Sequence, residues 1–185
     1  MAALDVYDVI AMTIHANNGE MSNRTTIQKL LYFHTIKLQN FEAVPYKHHF
    51  YGPFNREVAS GLEEMTAFSY LDEKMLPGYY ESYHYTLTDS GKKYAEKTKA
   101  KFNDDFNLIF KTVKICKDYC DLKSTPLSYA AKAYYILTST EEGRQGKYKA
   151  EDVREVGINF DWDISEEDIL TGVELLEKLD LVTVS

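Results

Sequence analysis

Hydrophobic residues recur at helical spacing in two segments near the start of the chain. Residues 4–16 carry valine and isoleucine every three or four positions, and a second apolar stripe runs through residues 27–38. Thr25, followed three residues later by Gln28, is a candidate capping box for the second segment. The pattern therefore predicts two helices, of which the second ends at about Gln39.

A third helix is predicted after residues 48–51, which read as a short extended piece, and after the turn Gly52-Pro53, which would place the proline at the first helical position. The inward positions of this helix are Phe54, Val58, Leu62 and Met65, and its outward positions are Asn55, Arg56, Ser60, Glu63 and Glu64. As the third helix of the chain, it corresponds in position to the contact helix of helix-turn-helix proteins.

Two short segments then follow the alternation of β-strands. They are residues 68–71 and 82–87, with Pro77-Gly78 as a turn between them. Thr88 can cap the next helix, which is rich in lysine. Three helices, a two-stranded ribbon and a further helix predict a mainly α (α+β) protein whose residues 1–100 form a winged-helix-like domain.

The rest of the chain is predicted to be helical. The expected elements are helices at 101–121, from Thr125-Pro126, from about Ala150 to a turn at Gly157 and from Ser165 to Lys178, and a strand at 181–184. Residues 140–149 have no apolar period and read as a mobile loop. We expect residues 101–185 to pack on the first domain, with a second partial winged helix as an alternative.

The charge of the chain is unevenly distributed. Residues 1–140 carry sixteen acidic and sixteen basic side chains, whereas residues 141–185 carry thirteen acidic and five basic ones, which accounts for the net charge of -8. An acidic surface repels a phosphate backbone, so nucleic acid, if bound, should meet the first part of the chain. Because no apolar run reaches roughly 18 residues and acidic side chains interrupt the N-terminus, we predict a cytoplasmic protein that does not enter membranes.

Neither metal nor catalytic chemistry has a clear signature. Cys116 and Cys120 share one helix face without a second pair at ligand spacing, and His48 and His49 would point to opposite faces of a strand, so both thiols are predicted to be structural. No nucleophile elbow, zinc motif or phosphate loop occurs. We therefore predict no enzyme activity, no metal and no cofactor.

Two motifs resemble a known group of proteins. Ile27-Gln28-Lys29-Leu30-Leu31-Tyr32-Phe33 is followed by Phe50-Tyr51-Gly52-Pro53-Phe54-Asn55-Arg56-Glu57-Val58, and this arrangement is similar to the Panacea antitoxin proteins (SocA- and GepA-like) and to the YwgA-like proteins of bacteria and archaea. The similarity covers residues 24–72. Asn55 departs from the pattern, since many relatives carry serine there. The resemblance implies an antitoxin or adaptor that holds a partner protein.

Protein binding and DNA binding are the two competing functions. Tyrosine is enriched in protein interfaces, which favours partner binding. The predicted partner-binding residues are Tyr51, Asn55, Arg56, Tyr79, Tyr80 and His84, while Tyr83 and Tyr85 are expected to pack inward. The partner would be a toxin-like or protease-delivered client protein, and a homodimer stays open. A winged-helix transcriptional regulator is the alternative, with Arg56, Lys92 and Lys93 as its nucleic-acid contacts.

Overall fold

The computed structural model of the protein describes residues 3–41, 45–78, 82–145 and 149–182. Helices dominate these ranges and a small antiparallel sheet accompanies them, so the predicted class, mainly α (α+β), is confirmed. The elements are α1 (Val6–Ala16), β1 (Glu20–Ser22), α2 (Arg24–Lys37), α3 (Arg56–Ala67), β2 (Leu71–Leu76), β3 (Ser82–Leu87), α4 (Asp89–Lys101), α5 (Asn103–Cys120), α6 (Ser124–Ser139), α7 (Glu141–Arg144), α8 (Ala150–Ile158) and α9 (Glu166–Lys178).

The sheet contains one more strand than the predicted ribbon. Its order is β1-β3-β2, and both pairings are antiparallel. Met21 of β1 lies opposite Tyr85 of β3, and both side chains are buried. A strand of three residues is too short to show an alternation in the sequence, which is why the prediction missed β1.

The first ribbon strand lies further along the chain than predicted. Phe68 ends α3 and donates its N–H to the carbonyl of Glu64, Ser69 adopts a left-handed conformation with φ 60°, and the Tyr70 N–H returns to the Met65 carbonyl. These bonds satisfy the last carbonyls of the helix. Residues 68–70 of the predicted strand therefore form the helix end, and only Leu71 lies in β2. Phe68 is left largely exposed.

The predicted capping box of α2 is also wrong. The helix begins at Arg24 and is capped by Asn23, whose side chain accepts the N–H of Thr25. The backbone N–H of Asn23 donates to the Tyr83 carbonyl on β3, so the sheet fixes the residue at which α2 starts. Gln28 is engaged elsewhere, as described below.

Other local signals are confirmed. Thr88 caps α4 through the Gly91 N–H, and Ser165 forms a capping box with Asp168 at α9. The inward positions Val58, Leu62 and Met65 of α3 are buried. The long helix predicted at 101–121 is α5, and the helix predicted from Thr125-Pro126 is α6, which begins one residue earlier.

Three predictions for the second half need correction. Thr140 caps the short helix α7 inside the predicted loop at 140–149, of which residues 146–148 lie outside the described residues. Gly157 lies within α8, and the turn follows it. Leu181 and Val182 are not in a strand, and the rest of the strand predicted at 181–184 lies outside the described residues.

The two predicted regions share a continuous set of buried side chains. Helix α1 packs on α3, α4 and α5, α2 packs on α6, and α6 packs most extensively on α9. Gly172 of α9 faces the backbone of α6, where an added Cβ would lie 2.7 Å from the Tyr129 carbonyl carbon, so glycine permits this close approach. Among the described helices, none has both the length and the apolar character required to cross a bilayer.

Candidate functional site: a fixed turn with an exposed aromatic pair

Residues 47–54 form a tight turn, here called the 47–54 turn, whose two ends are paired. The Lys47 N–H donates to the Phe54 carbonyl at 3.0 Å, and the Phe54 N–H donates back at 2.8 Å. Within the turn the Gly52 N–H donates to the His49 carbonyl at 2.8 Å, and Gly52 has φ 96°, a conformation that favours glycine. The predicted extended piece and the helical Pro53 are thus both wrong, since α3 begins only at Arg56.

A buried lysine of α2 stabilises the 47–54 turn by a hydrogen bond. Lys29 of α2 is only 2% exposed, and its Nζ donates to the Pro53 carbonyl at 2.8 Å. Burial, with a smaller contribution from the positive charge of Lys132, lowers the pKa of Lys29 to about 7. The lysine of the K-L-L-Y-F-like motif therefore has a structural partner in the second motif.

Gln28 and Asn55 form the second connection between the two motifs. The Gln28 side chain donates to the Asn55 carbonyl at 2.8 Å and accepts the Asn55 N–H at 3.1 Å. The Asn55 side chain accepts the Glu57 N–H and caps α3. Because Asn55 is only 4% exposed, its predicted outward position is wrong. Its predicted contact with a partner protein therefore has little exposed side chain to rest on.

A third hydrogen bond holds the 47–54 turn, and its donor is Trp162, a residue far along the chain. The indole N–H of Trp162 donates to the His49 carbonyl at 2.7 Å across 113 residues. The Trp162 ring is buried and lies 5.1 Å from the Phe160 ring and 5.7 Å from the Tyr135 ring. No sequence pattern predicted a role for Trp162, whose only signal is that the chain contains a single tryptophan.

Two aromatic side chains project from the turn that these contacts fix. Phe50 is 70% exposed and Tyr51 is 55% exposed, and their ring centroids are 5.0 Å apart in an edge-to-face arrangement. We call them the aromatic pair. Of the residues predicted to bind a partner, Tyr51 is therefore accessible, and Phe50 is an accessible neighbour that the prediction did not include.

A polar pocket of about 510 Å³ opens beside Tyr51. It lies where α2 and α6 both begin. Its lining residues are Asn23, Thr25, Tyr51, Ser124, Thr125, Ser128, Tyr129 and Lys132. We refer to this cavity as the polar pocket.

The remaining predicted partner contacts lie on the sheet or outside the described residues. Tyr79 and Tyr80 belong to the residues that the structure does not describe. His84 is half-buried, with its Nδ1 2.8 Å from the Ser22 hydroxyl and its Nε2 3.5 Å from the Glu20 carboxylate. The His84 ring is thus already engaged by its neighbours on β1.

The face of β3 that was predicted to pack does so. Tyr85 is buried, and its hydroxyl donates to Glu73 and accepts from the Nε of Arg24. The same guanidinium pairs with Glu73 at 2.8 Å and lies 4.1 Å from the centroid of the half-buried Tyr83 ring. Arg24 therefore joins the start of α2 to both strands of the ribbon.

The predicted nucleic-acid contacts lie on different helices. Arg56 is exposed at the first residue of α3, whereas Lys92 and Lys93 are exposed on α4. The exposed acidic residues of α3 are Glu57, Glu63 and Glu64. Negative side chains on the helix that would enter a DNA groove oppose phosphate binding there.

The two cysteines are unpaired, and Cys116 lies in the core as predicted. The Cys120 thiol is half-buried and donates to the Cys116 carbonyl at 3.2 Å. Burial raises the pKa of both thiols. Neither has the depressed pKa of a reactive thiolate, and the described residues contain no group of three possible metal ligands.

Comparison with known proteins gives one informative similarity. No protein-family model matches the sequence. The chain is 33% identical over 86 residues to the Bacillus subtilis (strain 168) protein described as "Uncharacterized protein YwgA". The match covers 46% of this chain and 51% of that protein, so the chain spans about half the length of this relative. The similarity agrees with the YwgA-like part of the predicted resemblance, and the Panacea antitoxin part stays a prediction.

Proposed function

We propose that this protein acts by binding another protein through the aromatic pair, in an antitoxin-like or adaptor-like manner and without catalysis. The observation that carries the proposal is the exposure of Phe50 and Tyr51 on a turn whose backbone is fixed from three sides. Exposed aromatic rings on a soluble protein mark interaction surfaces more often when they adjoin one another.

The rigidity of the turn supports this function. Association costs the entropy of every side chain and loop that it orders, and a surface already held in one conformation avoids much of that cost. Lys29, Gln28 and Trp162 supply such support to the 47–54 turn through hydrogen bonds to its carbonyl groups and to Asn55. The aromatic pair is then presented in a single arrangement, as interface anchors usually are.

The order of elements in residues 1–100 also fits the winged-helix arrangement that the sequence predicts, and we include that assignment in the proposal. In such folds the third helix and the ribbon are common contact surfaces. The acidic exposed side of α3 favours a protein partner over DNA for this chain. Transcriptional regulation through Arg56, Lys92 and Lys93 is the alternative that the experiment must distinguish.

Removing both rings of the aromatic pair should weaken partner binding without unfolding the protein. The partner is first isolated from a lysate with the tagged wild-type chain, identified and purified. The double variant Phe50→Ala, Tyr51→Ala should then raise the dissociation constant at least about thirtyfold, because interface anchors contribute about 2 kcal/mol or more. Titration calorimetry measures the change, and thermal unfolding checks that the fold is intact.

A matched control removes exposed apolar side chains elsewhere. Ile158→Ala, Leu170→Ala changes two exposed residues on α8 and α9 and should bind like the wild type. A double variant of the aromatic pair with wild-type affinity would contradict the proposal. Salt-sensitive binding to duplex DNA that is lost when Arg56, Lys92 and Lys93 become alanine would favour the alternative.

A further inference from the structure

The polar pocket has an unusual lining for a protein with 29 acidic residues. Eight of the described residues line it, and each of these carries a side chain that can donate a hydrogen bond, while none of them carries a carboxylate. One of them, Lys132, is a cation. A cavity with many donors and no acid is suited to a ligand that is rich in acceptors and negatively charged.

The first turns of two helices line the pocket. Thr25 belongs to the first turn of α2, and Ser124 and Thr125 belong to the first turn of α6. Neither first turn contains an acidic residue, and the N-cap residue of α6, Lys123, provides no side-chain cap. The backbone N–H groups and the helix dipole therefore add positive potential at the pocket that no side chain of the first turn neutralises.

Ser128 adds a hydroxyl group that faces the polar pocket. Its residue is only 8% exposed, it lines the pocket, and its hydroxyl makes no hydrogen bond to another of the described residues. The Ser128 hydroxyl is not among the fully enclosed unpaired polar atoms of the described residues, so it is reached through the pocket. A ligand with acceptor oxygens in the polar pocket would satisfy this group.

The Nζ of Lys132 lies 5.6 Å from the centroid of the Trp162 ring, and Asp163 and Asp168 are near enough to raise the pKa of Lys132 against the larger effect of burial, which lowers it. Asp168 is engaged as the capping-box partner of Ser165. Both lysine side chains flank Gly52, and Lys29 adds positive charge when it is protonated, below its pKa of about 7.

We propose that the polar pocket is a binding site for a phosphate monoester group, which Lys132 and the Ser124, Thr125 and Ser128 hydroxyl groups hold. A phosphate offers one acceptor oxygen to each of several donors and carries a negative charge that the Lys132 ammonium group can pair with. Two sources can supply it, a small phosphate ester or a phosphorylated side chain of another protein. The inference does not rest on the proposed partner binding, although Tyr51 adjoins both surfaces.

The test measures binding of four probes to the full chain by titration calorimetry: inorganic phosphate, phenyl phosphate, O-phosphoserine and a phosphoserine heptapeptide. Wild-type protein should bind at least one ester. Lys132→Met should weaken that binding about tenfold, since a charge-assisted hydrogen bond is lost, and Ser128→Ala should weaken it about three- to tenfold. Thermal unfolding verifies that both variants are folded.

Lys97→Met is the matched control, because it removes an exposed lysine from α4 and should leave the affinity unchanged. A phosphopeptide that binds at least about tenfold tighter than O-phosphoserine assigns the pocket to a phosphorylated partner. Equal affinities assign it to a small ester. The absence of binding at about 10 mM of every probe, or equal weakening by Lys97→Met, would overturn the proposal.

Partner binding and phosphate binding can fail separately. Phe50 does not line the pocket, so Phe50→Ala should reduce affinity for the protein partner and leave affinity for phenyl phosphate unchanged. The converse result, lost phosphate binding in Lys132→Met with intact partner binding, would confirm the pocket as an independent site.

Discussion

Replacing Trp162 with alanine should lower the free energy of unfolding by about 3–5 kcal/mol, which is the usual cost of removing a buried aromatic ring. The ring is almost completely buried against Phe160 and Tyr135, and its indole N–H bonds the His49 carbonyl. The substitution therefore leaves a cavity and also removes a hydrogen bond that holds the 47–54 turn. Urea denaturation at neutral pH measures the change.

Trp162→Phe separates the ring from the hydrogen bond. It keeps most of the apolar contacts but leaves the His49 carbonyl without its indole donor, so we expect a smaller loss of about 1–3 kcal/mol. Amide hydrogen exchange at Gly52, which donates to the same carbonyl, should also become faster. Ile158→Ala is the control and should stay within about 0.5 kcal/mol of wild type. Unchanged exchange at Gly52 in Trp162→Phe would show that the indole does not hold the turn.

Stability should fall by about 2 kcal/mol between pH 6.5 and pH 5 because His34 is buried in its neutral form. The His34 ring is fully buried in α2, and neither ring nitrogen has a hydrogen-bond partner among the described residues. Burial, with a smaller effect of the Lys37 charge, lowers the pKa of His34 to about 3. Below pH 6.5 His34 binds a proton in the unfolded chain, whereas it stays neutral in the folded chain. The free energy of unfolding therefore drops by about 1.4 kcal/mol per pH unit.

His34→Leu should remove most of this pH dependence. Leucine fills a similar volume without a titratable group, so the variant should be the more stable protein at pH 5. Burial also lowers the pKa of His15, so a smaller slope of the same sign should persist in the variant. His48→Gln removes an exposed imidazole instead and should keep the wild-type profile. A His34→Leu profile as steep as wild type would refute the assignment, and stability is measured by urea denaturation across this pH range.

The two motifs that carry the family resemblance have a structural explanation in this chain. Gln28 and Lys29 of the first motif bond the backbone of Asn55 and Pro53 in the second. A lysine and a glutamine on an otherwise apolar helix stripe are thus required by carbonyl and amide groups that would be buried without partners. The motifs stabilise the 47–54 turn, on which Phe50 and Tyr51 are exposed.

The candidate site could be predicted in part. Tyr51 and Arg56 are exposed near the turn, as expected, and Lys92 and Lys93 are exposed on α4. Asn55 was wrongly placed outside because helical spacing was counted from Pro53, whereas the helix starts at Arg56. The polar pocket had no signal in the sequence, since its residues come from segments about 100 positions apart. In the sequence, serine and threonine at a helix start indicate only a cap. The structure shows that the starts of α2 and α6 line the same pocket.

The sequence alone determined the elements whose signals are local. The cap at Thr88, the capping box at Ser165 and the strand at Ser82–Leu87 depend on residues within a few positions of one another, so their patterns are complete in a short window. Tertiary structure alone decided where α2 begins, because β3 pins Asn23, and where the 47–54 turn lies, because Lys29 and Trp162 bond its carbonyl groups. Hydrogen bonds between distant residues form only once the chain has packed, and neither periodicity nor capping preference records which buried carbonyl a distant side chain will satisfy.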